Sequence, residues 1–415
     1  MSKYLDDLEI RDPRSRERAL FRRLPKFLAE ISETIPGWKQ RLRKFDVATV
    51  RSREALAQIP VLRKPELMEA QQKKPPFGNF ANKAMLAGAR YFMSPGPVWE
   101  PQAAGHDDHW GGARAFHAAG IMKGDLVHCS LSYHMTPGGL MLDTGARAAG
   151  ASVFPAGIGN TEAQVEAAAA IRPTAYAGTP DFLKILLDKA SEMGADLSSI
   201  RKGLVSGGAL FPSMRDEYRE RGVNVMQCYA TADLGIIAYE SLHRGRPLPG
   251  MVVNENLIVE IVRPGTDEPV AHGEVGELVV TNFNPAYPLI RFGTGDLSAV
   301  LDEPSPCGRT NLRIKGWMGR ADQRTKVKGM FVDPKQIDEV VKKSRGVARA
   351  RLVVSRSGTN DSMVLHVEPH KDASIDGAAI EKLLAAVTKL KGSVEIADSL
   401  PNDGKVIDDQ RDYSK

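Results

Sequence analysis

Between residue 103 and about residue 280 the chain alternates two periodicities, and that alternation narrows the fold more than any other feature of its 415 residues. Short apolar runs (DLVHCSL, ASVFPAG, PTAYAGT, KGLVSGG and VNVMQCY) lie between helix-like stretches such as EAQVEAAAAI and PDFLKILLDKASEMG. Strand-length apolar runs spaced by amphipathic helices bury both kinds of face only as a sheet covered by helices, so the pattern predicts a layered α/β domain. In such sheets binding groups collect on the loops that leave the carboxyl ends of the strands. From 252 to 300 the pattern shifts to strands joined by turns, LIVEIVRPGTDEPV, GEVGELVVTNF and YPLIRFG, which read as a β-rich subdomain. After Arg320 come two strand–helix rises, DPKQIDEVVKKSRG with ARARLVVSRSG and SMVLHVEP with DGAAIEKLLAAVTKLKG. The expected organisation is a large N-terminal domain over 1–319 and a small mobile α+β domain over 322–415.

Composition bounds the function classes. At 42% hydrophobic the chain buries a large core. Its net charge of +5 is mild, and the basic stripe RDPRSRERALFRRLPK at 11–26 reads as the solvated face of an amphipathic helix rather than a nucleic-acid or lipid surface. No apolar run reaches the roughly 18 residues of a membrane span, and MSKYLDDLEI lacks the apolar core of a signal peptide. Cys129, Cys228 and Cys307 are too few and scattered for a disulfide framework. The expectation is a cytoplasmic protein with no nucleic-acid or membrane partner.

Three polar motifs stand out: RFGTGDLSAV at 291–300, GWMGRADQRTKVKGMFVDP at 316–334 and LPNDGKVIDD at 400–409. Asp296, in a Gly-flanked turn after an apolar strand, is a short carboxylate able to accept hydrogen bonds from two vicinal ribose hydroxyls. Arg320 can fork onto ribose or phosphate oxygens. Lys405 follows Gly404 near the C-terminus, where one ammonium can stabilise charge that grows on phosphate oxygens in a transition state.

These motifs, with IPVLRKPELMEAQ and PPFGNFA at 59–81, HCSLSYHMTPGGL at 128–140, VFPAGIGNTEAQVEAAAAIRPTAYAGTP at 153–180, LVSGGALFP at 204–212, QCYATADLG at 227–235 and GEVGELVVTNF at 273–283, resemble the phenylacetate coenzyme A ligase branch of the adenylate-forming (acyl-CoA synthetase) superfamily along essentially the whole chain. The resemblance implies an enzyme that joins a small carboxylic acid to AMP with ATP and magnesium, then passes the acyl group to CoA. It assigns Tyr229, with Ala230 and Thr231, to one side of the adenine and Gly207, Gly208 and Ala209 to the other. Asp233 takes the position where the family has a magnesium-holding glutamate, one methylene shorter here. Tyr133, His134 and Met135, with Gly207 and Ala230, line the acid pocket, whose mixed character suits an aromatic or compact acid. Asp322 is the hinge, and rotation about it exchanges Lys405 for the Lys328–Gly329 turn of the CoA tunnel. A homodimer is the default assembly.

Two departures from the family pattern stand beside these matches. Where relatives carry S-S-G-T-T-G-x-P to hold the β- and γ-phosphates, this chain reads Ser94-Pro95-Gly96-Pro97-Val98-Trp99-Glu100-Pro101. Two prolines remove amide donors, both threonine hydroxyls are gone, and Glu100 brings negative charge toward an anion, so ATP is expected to bind less well than in relatives. The Cys/His zinc set of some members is reduced to Ser305-Pro306-Cys307-Gly308-Arg309, and one thiolate cannot make a tetrahedral site, so no zinc is expected. Beside the acid:CoA ligase, two function classes stay open: an adenylating enzyme with a non-CoA acceptor, and a non-catalytic paralogue.

Overall fold

The computed structural model describes residues 3–321, 323–357, 360–370, 373–401 and 406–411. The chain divides into two compact units, Met1–Thr294 with Ser298–Trp317, and Gly295–Leu297 with Met318–Lys415.

The larger unit opens with helix α1 (Pro13–Thr34), where Asp12 accepts the Ser15 amide and Pro13 occupies the first turn. Its inner face buries Leu20, Phe21, Leu24, Phe27, Leu28 and Ile31. The basic stripe is on the outer face with one exception: Arg16 is buried and pairs with buried Glu255. Helix α2 (Lys64–Lys73) carries buried Gln71, whose amide bonds both the N–H and the carbonyl of Trp99. That contact fixes a hairpin of β1 (Arg90–Ser94) and β2 (Val98–Gln102), with Ser94 opposite Val98 and Phe92 opposite Glu100.

The central sheet follows the sequence pattern. Strand β3 (Leu126–Cys129) leads through α3 (Gly138–Ala148) to β4 (Ser152–Pro155), then through α4 (Thr161–Ile171) to β5 (Ala175–Gly178). Helix α5 (Pro180–Met193) returns to β6 (Lys202–Val205), and α6 (Pro212–Glu220) to β7 (Asn224–Thr231). Helix α5 shows why the boundaries fall where they do: Thr179 caps the Phe182 amide, Pro180 sits at the first turn, and Gly194 at φ +65° closes the end. All five apolar runs become these parallel strands, in the spatial order β4-β3-β5-β6-β7. Strand β8 (Gly235–Tyr239) then pairs antiparallel with β7 and carries the sheet on to nine strands.

The β-rich part contributes β9 (Leu257–Val262), β10 (Gly276–Asn282) and β11 (Phe292–Ser298), in a four-stranded sheet with Leu62–Arg63. Here the sequence reading needs correction. YPLI is not a strand; the strand begins at Phe292 and runs through the expected TGD turn. Arg291, just before it, is fully buried and bonds Glu260 Oε2 at 3.1 Å and the carbonyls of Ala57, Ile59 and Asp267. A buried guanidinium with every contact satisfied pins the β-rich sheet to the N-terminal helices.

The smaller unit is α+β. A hairpin of β12 (Thr325–Val327) and β13 (Met330–Val332) precedes α7 (Pro334–Lys343), which starts on a reciprocal Asp333–Gln336 cap. Strands β14 (Val347–Ser357) and β15 (Asn360–Pro369), helix α8 (Gly377–Thr388), β16 (Ser393–Ile396) and β17 (Ile407–Asp409) complete it, in the sheet order β16-β15-β14-β17. Its own core includes Val332, Ile337, Val340, Leu352, Leu365 and Leu384. Among the described residues, no helix is long and apolar enough to cross a membrane.

Candidate active site

The parallel sheet has a topological switch between β3 and β5: the chain leaves β3 to one side for β4 and returns to the other side for β5. The crevice outside the carboxyl ends of such strands is where α/β sheets bind ligands. The loops there are 130–137 after β3, 206–211 after β6, and the 231–235 turn between β7 and β8. The fold therefore brings Tyr133, His134, Met135, Gly207, Gly208, Ala209, Tyr229, Ala230, Thr231 and Asp233 to one edge.

Each loop is held by specific bonds. Ser206 donates its amide to Gly178 O at 3.0 Å and its hydroxyl to Cys228 O at 2.9 Å. Gly207 adopts φ +72°, which a side chain would strain, and Gln227 Nε2 fixes Gly208 O at 3.1 Å. The β7–β8 register shifts between Tyr229 and Ala230. A bulge re-aims the side chains on either side of it, so Tyr229, half-buried against the N-terminal core, and Ala230, against the sheet core, serve different faces. Sequence reasoning did not find the bulge. In the loop after β3, the Tyr133 hydroxyl donates to Asp143 Oδ2 at 3.0 Å, and burial pushes that phenol above its usual range. His134 and Met135 are exposed. Met135 O accepts the Met93 amide at 2.8 Å, which ties this loop to the β1–β2 hairpin.

That hairpin differs most from what the family pattern leads one to expect. Strand alternation turns Phe92, Ser94, Val98 and Glu100 inward, while Tyr91 and Trp99 face out at 52% and 37% exposure. Glu100 is 4% exposed and accepts the Ser94 hydroxyl on Oε1 at 2.6 Å. Burial, then the nearby Asp233 charge, push its carboxyl well above the ordinary carboxylate range. The Asp233 side chain is 3% exposed and takes Lys64 Nζ on Oδ2 at 3.1 Å. Lys64 lies 169 positions away on the first turn of α2. Sequence reasoning placed it in a matching stretch and gave it no role.

In the smaller unit Asp296 and Arg320 meet directly, Nη1 to Oδ1 at 2.9 Å. Asp296 is not in a turn, as expected from the sequence, but within β11. Leu297 N to Gly319 O, Met318 N to Leu297 O and Ala321 N to Gly295 O, each at 2.8–2.9 Å, continue the strand, and Gly295 at φ +73° bends it beside the Arg320 guanidinium. Lys328 (φ +47°) and Gly329 (φ +84°) form the exposed two-residue turn of the β12–β13 hairpin, a conformation that a right-twisted hairpin favours. Lys405 and Asp322 lie outside the described residues. Cys307 is buried and free, with Ser305 Oγ at 3.0 Å and Arg309 Nη1 at 3.8 Å.

A profile of the AMP-binding enzymes matches residues 108–285, which contain the five parallel strands of the central sheet and all three of their edge loops. Phenylacetate-coenzyme A ligase of Thermus thermophilus is 30% identical over 381 residues, covering 88% of this chain and 84% of its own length. The chain belongs to this family. The enzyme of the same name from Escherichia coli is 29% identical over 384 residues, covering 88% and 85%. In fold, the family member is similar to a solved 2-hydroxyisobutyryl-CoA ligase in complex with 2-HIB-AMP and CoA, with a TM-score of 0.80, 23% identity and coverage of 99% and 93%.

The family implies magnesium, and the residues present fit it. Magnesium is held by one or two carboxylates together with phosphates and water rather than by an all-protein cage. Asp233 Oδ1 is buried with no hydrogen-bond donor, so it is a carboxylate oxygen available to a cation.

Proposed function

We propose that the protein is an ATP-dependent acid:CoA ligase acting on an aromatic or compact carboxylic acid. The observation that carries this reading is the shared strand-end edge: Gly207, Gly208, Tyr229 and Asp233 and the loop after β3 meet beside the switch point of the sheet, in a chain of this family. A flat adenine fits between Tyr229, flanked by Ala230 and Thr231, and the side-chain-poor Gly207–Ala209 backbone. The Asp296–Arg320 pair suits the ribose: the carboxylate accepts from its hydroxyls and the guanidinium holds the carboxylate in place.

In the first half-reaction a carboxylate oxygen of the acid attacks the α-phosphorus and pyrophosphate leaves. Asp233 would hold the magnesium ion, which when bound offsets the charge of the phosphates. Lys405 is assigned the growing charge at the α-phosphate. In the second, the CoA sulfur attacks the acyl carbon and AMP leaves, with the Lys328–Gly329 turn assigned to the pantetheine arm. The acid faces the loop 130–137; because the Tyr133 hydroxyl is engaged by Asp143, that side chain offers its ring to the acid. The compact-acid assignment is supported by the similarity to phenylacetate-coenzyme A ligases. A cytoplasmic location accords with three buried, free cysteines.

The test is a screen of aryl and short hydroxy acids for pyrophosphate release, with and without CoA. Acid-dependent release followed by CoA thioester formation is expected; release without any thioester selects another acceptor. The reading fails if no acid elicits release. Pro95, Pro97 and Glu100 in the hairpin favour one second reading, a nucleotide-binding paralogue without turnover, and AMP binding without pyrophosphate release would select it.

A further inference from the structure

Glu100 and Asp233 both line a cavity of about 290 Å³ and are almost sealed from solvent. Each spends one oxygen on its own orientation. Glu100 Oε1 accepts the Ser94 hydroxyl at 2.6 Å, and Asp233 Oδ2 accepts the Lys64 ammonium at 3.1 Å. The remaining oxygens, Glu100 Oε2 and Asp233 Oδ1, are buried and receive no donor. A buried polar atom left without a partner costs about 1–3 kcal/mol, more when charged, and a cation between the two carboxylates removes that cost. Carboxylates that ligate metals show this division of labour, one oxygen positioned by a neighbour and the other directed at the ion.

We propose that Glu100 and Asp233 together bind a divalent cation, Mg2+ in the ATP-bound enzyme, with Glu100 the ligand that the hairpin supplies in place of the phosphate donors it lacks. The proposal rests on the ligase reading of Asp233 and deepens it. A carboxylate aimed at a triphosphate repels it; the same carboxylate with a dication between them attracts it. The hairpin that lost its threonine hydroxyls and two amides thus grips the β- and γ-phosphates through the metal. Two carboxylates with phosphate oxygens and water are a normal magnesium set. Ser94, the one hydroxyl kept from the family's loop pattern, becomes a positioning residue for Glu100 rather than a phosphate ligand.

The test uses the full chain and Mn2+ as the probe, counting free ion by electron paramagnetic resonance for wild type, Glu100→Gln and Glu100→Asp. AMP binding is followed by calorimetry in EDTA alongside. Glu100→Gln is expected to weaken Mn2+ binding roughly tenfold or more, and Glu100→Asp by less, while AMP affinity holds because AMP lacks the phosphates concerned. Unchanged Mn2+ affinity in Glu100→Gln overturns the proposal, as does the absence of stoichiometric Mn2+ binding by wild type. If Glu100→Gln fails to give a cooperative thermal transition, Glu100→Asp decides by the same criterion. AMP separates the two readings: wild type that binds Mn2+ through Glu100 but never binds AMP keeps the cation site and removes the ligase.

Discussion

The loops after β6 and β7 and the β1–β2 hairpin serve the same proposed nucleotide, yet they are built on opposite principles. The strand-end loops read as the family pattern does: positive-φ glycine, a half-buried tyrosine and a carboxylate in a tight turn. The hairpin has exchanged donors for prolines and placed a buried carboxylate against Asp233. Recognition of adenine and ribose depends on shape and a few fixed bonds, whereas recognition of phosphate depends on charge and can be supplied by side chains, by amides or by a cation. The second kind is the easier to rebuild without disturbing the fold.

The most severe way to break this comparison is to remove the proposed adenylation lysine. Lys405→Ala is expected to lower acid-dependent pyrophosphate release by about 10²–10³-fold while sparing thioester formation from supplied acyl-AMP; equal loss in both assays would detach Lys405 from its role. Asp296→Ala should weaken AMP and ATP alike by about 1.5–3 kcal/mol, measured by calorimetry, because charge-assisted bonds to ribose are common to both nucleotides. If ATP weakens and AMP does not, Asp296 belongs with the phosphates instead.

The turn that carries Asp233 gives a sharper test of the edge itself. Gly235 sits at φ +78°, and a Cβ there would lie 2.6 Å from the Trp110 carbonyl. Gly235→Ala is expected to cost about 2 kcal/mol in denaturant unfolding; full stability would mean that the turn has another conformation. A smaller effect concerns the cavity wall. Burial, with His106 beside it, lowers His109 to about 4, so the folded chain keeps the ring neutral while the unfolded chain takes up a proton below 6.5. Stability is then full above pH 6.5 and falls as the pH drops toward 4, by about 1–2 kcal/mol allowing for the ring's exposed edge. His109→Gln should flatten that slope in urea titrations, and an unaltered slope would assign it elsewhere. Smallest of all, Pro95→Ser restores one amide and one hydroxyl and should tighten ATP by about 1 kcal/mol without changing AMP.

The architecture was legible because parallel strands covered by helices read as continuous apolar runs, and DLVHCSL, PTAYAGT, KGLVSGG and VNVMQCY are such runs; ASVFPAG, on the sheet edge, is the least buried of the five. Helix ends were legible where local chemistry sets them, as at Thr179-Pro180 and Gly194. What escaped notice is non-local. The TGD segment reads as a turn from its glycines but is drawn into β11 by residues 318–321. Lys64 and Asp233 are 169 positions apart, and Arg16 and Glu255 are 239 apart; no periodicity links such partners. Glu100 left one usable trace, the in–out alternation of Val98, Trp99 and Glu100, which turns the carboxylate inward once Val98 is known to be buried.

One main-chain hydrogen bond, from the Met93 amide to the Met135 carbonyl, couples two choices that an enzyme designer would prefer to make separately. In the proposed site, an acid bulky enough to shift Met135 would pull on the strand that carries Ser94, and by thermodynamic reciprocity a triphosphate that shifts that strand would alter the welcome given to the acid by the same factor. Swapping the substrate range of this protein would therefore retune its appetite for ATP.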